Sequence, residues 1–264
     1  MSSQNGAGLK GKVALITGAT SGIGKGCAMA FAQEGCFLVV TGRNIAALEE
    51  VTKLCHEVGV PEGKVLSVAA DLCKDEDCHR VISATLSHFG CLNILVNSAG
   101  LIHRGGIETI SMEDYDQLMN INTRSVFLMM KLSLPHLLAS KGNIVNISSV
   151  TGLRAFPGVV AYNMSKAALD QLTRTVALEV ASRGVRVNAV NPGVIITEIH
   201  KRGGMNEEAY AKFLEHSKTT HAMGRVGEVD EVARGVVFLA SDNASFITGV
   251  TLPIDGGRSI MCPR

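Results

Sequence analysis

Short runs of apolar, mostly β-branched residues alternate along this chain with longer stretches in which apolar positions recur about every three to four residues. Val13 to Thr17, Phe37 to Thr41, Lys64 to Ala70, Asn93 to Val96 and Asn143 to Ile147 read as strands. A last strand opens at Val250 and closes in a turn at Asp255, Gly256 and Gly257. Helical periodicity runs over Lys25 to Gln33, Ile45 to Glu57, Asp75 to His88, Met112 to Leu138, Ala161 to Ser182 and Asn206 to Ser217. Repeated strand and helix units predict an α/β fold, a mostly parallel sheet covered on both faces, with a ligand at the C-terminal ends of the strands. No linker, low-complexity tract or fixed-period repeat interrupts the pattern, so residues 1–264 read as one domain.

The strand ends carry the chemistry. The first strand runs directly into Gly18, Ala19, Thr20, Ser21, Gly22, Ile23 and Gly24, and then into a helix. Glycines let backbone amides approach a phosphate, and the helix N-terminus adds partial positive charge at the same place, so a dinucleotide pyrophosphate suits this turn. The second strand ends in Gly42 and Arg43, where an acid would bond ribose hydroxyls and an arginine would accommodate a 2′-phosphate. With Arg43 and no acid, the pattern favours NADP(H) over NAD(H). Asp71 closes the third strand, Asn97 to Gly100 follow the fourth, and Ser148 and Ser149 follow the fifth. Asn122 lies inside an apolar helical stretch, where its amide needs partners: it could hold a water or bond a bent backbone.

Tyr162 and Lys166 stand four residues apart, about one helical turn, so both side chains leave one face. An ammonium beside the phenol stabilises the phenolate and pulls the tyrosine pKa down from about 10, making a group that can give or take a proton.

Composition narrows the function classes. With 46% hydrophobic and 19% charged residues the chain is globular, and a net charge of +1 without a basic stripe gives no basis for a nucleic-acid or anionic-membrane partner. The apolar runs, such as Cys36 to Val40 and Val126 to Met130, are too short to span a bilayer. Met1 to Lys12 shows neither a signal-peptide core nor an Arg-rich amphipathic pattern, and a cytoplasmic address is expected. Seven scattered cysteines without a C-x-x-C pair fit a reducing compartment. Cys73, Cys78 and His79 lack a second ligand pair at zinc spacing, so no metal is expected.

Taken together, the glycine turn, Asn97 to Gly100, Asn122, Ser149 and the Tyr162/Lys166 pair make the chain resemble the short-chain dehydrogenase/reductase family from about Leu9 to Arg258. The resemblance implies a Rossmann-type, doubly wound parallel sheet of seven strands. It implies a catalytic tetrad of Asn122, Ser149, Tyr162 and Lys166, in which Tyr162 is the acid/base, Ser149 orients the carbonyl, Lys166 also binds the nicotinamide ribose, and Asn122 positions a water. The cofactor would lie along Gly18, Ser21, Gly22, Ile23 and Gly24, Arg43, Asp71 and Leu72. Its further contacts would be Asn97, Ala99 and Gly100, then Pro192, Gly193, Ile195 and Thr197. Ser98 stands where the family usually carries a second asparagine. The arginine after the second strand looks like the NADP(H)-preferring subset, and a homotetramer or homodimer is implied.

Selectivity is expected from Leu101 to Gly106, Val150 to Val160 and a lid over about 194–225. The pocket wall is assigned to Val150, Phe156, Val159, Ile195, Ile196 and Ile199, with His103 as a polar contact, which suggests a mainly apolar substrate. The expected activity is NADP(H)-dependent interconversion of a carbonyl and an alcohol on a small molecule such as a ketosteroid or other ketone. A 3-oxoacyl thioester reductase is the alternative, because the layout including Ala181 to Gly184 and Ile247 to Gly249 also looks like that branch. A nucleotide-binding scaffold without chemistry is disfavoured by the presence of Tyr162 and Lys166.

Overall fold

Seven strands pair into one all-parallel sheet: β1 (Val13–Thr17), β2 (Phe37–Gly42), β3 (Val65–Ala69), β4 (Ile94–Asn97), β5 (Asn143–Ile147), β6 (Arg186–Pro192) and β7 (Thr251–Ile254). The structure is a computed structural model and describes residues 8–262. Of the leading segment Met1 to Lys12, read above as free of a targeting signal, residues 1–7 lie outside the described part. In space the order is β3-β2-β1-β4-β5-β6-β7. The chain builds outward from β1 to β3, then returns to lay β4 against the other side of β1. That reversal leaves a crevice beyond the C-terminal ends of β1 and β4, where ligands of open α/β sheets bind.

Every residue of β1 is buried, as a central strand covered on both faces requires. Ten helices among the described residues are α1 (Gly22–Gln33), α2 (Ile45–Glu57), α3 (Asp75–Phe89), α4 (Met112–Met119), α5 (Ser125–Ser140), α6 (Val150–Leu153), α7 (Val160–Val180), α8 (Ile199–Arg202), α9 (Glu207–Thr219) and α10 (Val229–Ala240). Ala14 and Ile16 of β1 pack into one cluster with Phe31 of α1, Val51 of α2 and Val236 of α10. Val13 and Leu15 point the other way, into a cluster with Val81 of α3, Met129 of α5 and Leu169 of α7. Each fully buried Leu, Val, Phe or Met is worth about 1.5–3 kcal/mol, so two such layers hold the sheet that presents the strand ends.

The structure departs from the hydrophobic pattern in three places. The expected helix from Met112 to Leu138 is broken by a π-helical turn at Asn120–Arg124, which splits α4 from α5 and lodges Asn122 in the interior. β6 is not evident in the apolar pattern because Asn188 and Asn191 interrupt it; both are buried, Asn188 paired through Oδ1 with Val250 N and through Nδ2 with Ile247 O, and Asn191 through Nδ2 with Ser149 O and Asp170 Oδ2. α10 was also unassigned, although Glu228 and Glu231 form a capping box at its start, a signal readable in sequence. Among the described residues no helix is long and apolar enough to cross a membrane.

Candidate active site

A cleft of about 560 Å³ opens over the C-terminal ends of the strands. At its floor the turn after β1 is built for a close backbone approach. Gly18 has φ +64, and a Cβ there would come within 2.7 Å of the Ala99 Cα; a Cβ on Gly24 would meet the Gly18 carbonyl oxygen at 2.2 Å. Ser21 stands at the N-cap of α1 yet its side chain makes no capping hydrogen bond, so the first amides of α1 face the cleft without a protein acceptor. Two Thr17 hydrogen bonds, accepted at 3.0 Å from both Ser98 N and Ala99 N, tie the turn after β4 to β1. These features fit the pyrophosphate of a dinucleotide on the helix N-terminus.

Further along the same wall stand Arg43 after β2 and Asp71 and Leu72 after β3. Asp71 Oδ1 accepts from Cys73 N at 3.2 Å, and its own N–H donates to Asp77 Oδ2 at 2.7 Å, so the loop is fixed from both sides. Burial and the Asp71 charge raise the Cys73 thiol pKa while Arg43 opposes them, which puts all three groups within electrostatic reach. Gly100 of the β4 turn and Pro192, Gly193, Ile195 and Thr197 after β6 complete the wall. Tyr210 of α9 both accepts from Thr197 N and donates to Thr197 O, tying the expected lid segment to this strand end.

Ser149, Tyr162 and Lys166 converge on the cleft and are nearly buried. Ser149 is carried out by the end of β5 and caps the short helix α6, its Oγ accepting from Thr151 N at 3.2 Å. Burial pushes the Tyr162 phenol up to about 12, and a hydrogen bond with the Ser149 side chain acts the other way. The expected lowering by Lys166 is therefore not what the side chains do: burial sets the direction, Ser149 is the group that opposes it, and the ammonium donates to the Ile147 carbonyl at 2.8 Å. Burial lowers Lys166 itself to about 8, with Asp170 pulling it back up.

Asn122 stands behind this group rather than in the cleft wall. Its Oδ1 accepts from Leu101 N at 2.9 Å, and its Nδ2 donates to Leu101 O at 2.9 Å and to Ser165 Oγ at 3.1 Å. Of the two possibilities read from sequence, the bond to a bent backbone is present: Oδ1 and Nδ2 both pair with Leu101. Asn97 is likewise committed away from the cleft, donating to Asn146 Oδ1 at 2.9 Å inside the sheet.

Of the residues assigned to the pocket wall, Val150, Phe156, Val159 and Ile199 line the cleft, and two others stand outside it. The His103 ring meets Gln117 Oε1 at 2.7 Å and Asp114 Oδ1 at 3.6 Å, both on α4, and does not itself line the cleft. Ile196 is exposed, and its N–H donates to Gly227 O at 3.0 Å. Residues that the sequence reading missed take their place: Arg104, His200, Arg202 and Arg258 all line the cleft. Asp170 was missed too, although it lies one turn beyond Lys166 on the same helix face; its Oδ2 accepts from Asn191 at 2.9 Å. Among the described residues no group of three or more His, Cys, Asp or Glu side chains is arranged to hold a metal ion.

Comparison with known proteins agrees with this layout. A family profile described as "Enoyl-(Acyl carrier protein) reductase" matches residues 18–259. The chain is 38% identical over 258 residues to 2,5-dichloro-2,5-cyclohexadiene-1,4-diol dehydrogenase LinX of Sphingobium indicum, covering 96% of this chain and 98% of the relative. It is 37% identical over 253 residues to 3-oxoacyl-[acyl-carrier-protein] reductase FabG of Thermotoga maritima, covering 96% and 99%. A crystal structure from Caenorhabditis elegans, solved with cofactor and of unknown function, superposes with a TM-score of 0.92 at 37% identity over 96% of this chain and 97% of the other.

Proposed function

The chain belongs to the short-chain dehydrogenase/reductase family, and on that footing we propose that it is an NADP(H)-dependent enzyme interconverting a ketone or aldehyde and the corresponding alcohol. The family's nicotinamide cofactor and its CH–OH/C=O oxidoreductase chemistry come with membership; the phosphorylated form of the cofactor is part of the proposal. The observation that carries the catalytic assignment is the convergence of Ser149, Tyr162 and Lys166 on the cleft that the glycine turn also lines.

When bound, the nicotinamide supplies or accepts the hydride. The chain's side chains handle the oxygen. In reduction, Tyr162 gives its proton to the carbonyl oxygen; a phenol held near 12 keeps that proton at neutral pH and so is charged with it beforehand. Ser149 donates a hydrogen bond to the same oxygen and fixes its direction. Lys166 has two N–H groups left after its bond to Ile147 O, and we assign them to the ribose hydroxyls of the cofactor. In oxidation Tyr162 takes the alcohol proton, and the hydrogen bond with the Ser149 side chain is what favours the phenolate that this requires. Asn122 acts as a positioning residue, since its side chain clamps the loop that begins at Leu101.

Arg43 supports NADP(H): it lines the cleft at the end of β2, where the adenosine ribose of a dinucleotide lies. The segment 194–225, with α8 and α9, is read as a closing element of a single domain. Exposed Phe127 on α5 and Met164 and Leu178 on α7 support pairing of these helices between subunits, as a homotetramer or a homodimer. A cytoplasmic enzyme without nucleic-acid or metal partners completes the reading.

The second reading, a 3-oxoacyl thioester reductase, is favoured by the likeness to the acyl-carrier-protein reductases named above. Oxidation of NADPH and NADH is followed side by side with a diketone, a ketosteroid, retinal and an acetoacetyl thioester. Turnover with NADPH on a free ketone supports the leading reading, turnover confined to the thioester the second, and cofactor binding without turnover on any of them removes the catalytic assignment for these classes.

A further inference from the structure

The substrate end of the cleft is basic. Arg104 after β4, Arg202 in α8 and Arg258 after β7 come to it from distant parts of the chain. Among the described lining residues Asp71 is the one carboxylate, and it follows β3, at the opposite edge of the sheet from β7. The apolar wall is thus capped by cations that no acid of the cleft neutralises.

Arg258 is the most enclosed of the three. Its guanidinium lies 4.8 Å from the centroid of the Phe156 ring, which fixes its plane. Its Nε is buried and has no acceptor among the described residues. Asp255, whose charge Arg258 feels, is spent on the backbone: Oδ1 accepts from Gly257 N at 3.0 Å and Oδ2 from Ser259 N at 2.6 Å. Arg154 reinforces the same loop by donating from Nε to Ser259 O at 2.6 Å. Among the described residues the Arg258 guanidinium donates no hydrogen bond, so the N–H groups it presents to the cleft can serve a bound acceptor. His200, packed on Phe213 with ring centroids 4.6 Å apart, is pushed down to about 4 by burial and then by the charges of Arg104 and Arg258, so it adds no charge of its own at neutral pH.

Resting on the oxidoreductase reading above, we propose that the substrate carries a carboxylate, held by Arg258 with Arg104 at the mouth, while its carbonyl or alcohol carbon faces Ser149 and Tyr162. A planar guanidinium offers paired N–H donors that match the two oxygens of a carboxylate, and stacking on Phe156 sets them in advance of binding. The substrate class is then an oxo acid or hydroxy acid with an apolar stem, rather than a neutral ketone.

The test uses a series of straight-chain oxo acids of increasing length and the methyl ester of each. For at least one length the acid exceeds its ester in kcat/KM by about tenfold or more, the difference lying mainly in KM. Arg258→Gln abolishes that ratio, Arg258→Lys keeps part of it, and Arg104→Gln, a change on the exposed rim, reduces it less. Titration of the same acids into the cofactor-loaded protein separates the two readings. Arg258-dependent binding without turnover upholds the carboxylate site and overturns the oxidoreductase reading for these acids. Ester turnover with no preference for the acids, or a preference that survives Arg258→Gln, overturns the carboxylate site alone. Absence of both binding and turnover for every acid overturns it as well.

Discussion

Asn122 and Leu101 close a two-bond ring: the asparagine Oδ1 accepts from Leu101 N and its Nδ2 donates to Leu101 O, each at 2.9 Å. A side-chain amide here does what a neighbouring strand does elsewhere, pairing both polar groups of one residue in a loop that has left the sheet. The loop so held runs on to Ile102 and Arg104 in the cleft wall. The π turn at Asn120–Arg124 is what brings the amide to this position.

Replacing Asn122 with Ala strands the Leu101 N–H and C=O, and each buried group left without a partner costs about 1–3 kcal/mol. Urea unfolding should therefore show a clear loss of stability, accompanied by lower turnover as the loop loosens. A variant within about 0.5 kcal/mol of the parent, the usual range for neutral surface changes, would show that the loop is held by something else.

Tyr162→Phe removes the proton donor while leaving the ring that fills the site. kcat is expected to fall by about 10²- to 10⁴-fold, with cofactor affinity changed only a few-fold, roughly the share that acid/base catalysis carries. Stopped-flow hydride transfer together with a cofactor titration separates the two effects, and near-normal turnover would remove Tyr162 from the chemistry.

Arg43→Leu tests the cofactor preference. Loss of a charge-assisted bond to a phosphate is worth about 1.5–3 kcal/mol, so KM for NADPH should rise by about tenfold or more while KM for NADH moves little. Equal changes for the two cofactors would mean that Arg43 contacts something they share.

The pH dependence of stability reports on Lys166. Burial lowers its pKa to about 8, from the ordinary 10.5. Between these values the unfolded chain holds a proton that the folded chain has released, so this group makes stability rise with pH across that window. Below it both states are protonated and the folded state bears the full cost of the buried charge. Lys166→Met should thus gain on the wild type most at pH 7, and the gain should shrink toward pH 10.5, measured by urea unfolding of the cofactor-free protein. A difference that stays flat with pH would mean that the ammonium is solvated.

What was legible in the sequence is what is local. β1 and its glycine turn are contiguous, and the hydrophobic run, the turn and the helix follow from backbone sterics and solvent exclusion within some twenty residues. Tyr162 and Lys166 share a face because helical geometry dictates it. The all-parallel sheet was within reach for the same reason, as its strands are separated by stretches of helical period. Tertiary structure decided what depends on who becomes whose neighbour. β6 is a strand because its asparagines find partners in the segment leading to β7 and in Asp170 of α7, and pairing of that kind leaves no trace in its own apolar pattern. At the break between α4 and α5 Asn122 reaches Leu101, a contact between segments some twenty residues apart. The direction of the Tyr162 pKa was set by burial, which a spacing of four residues does not reveal. Arg104 and Arg258, far apart in sequence, meet at one end of the cleft because β4 and β7 end on the same side of the sheet, and summed charge in a cavity is a property of folded distances rather than of any stretch of chain.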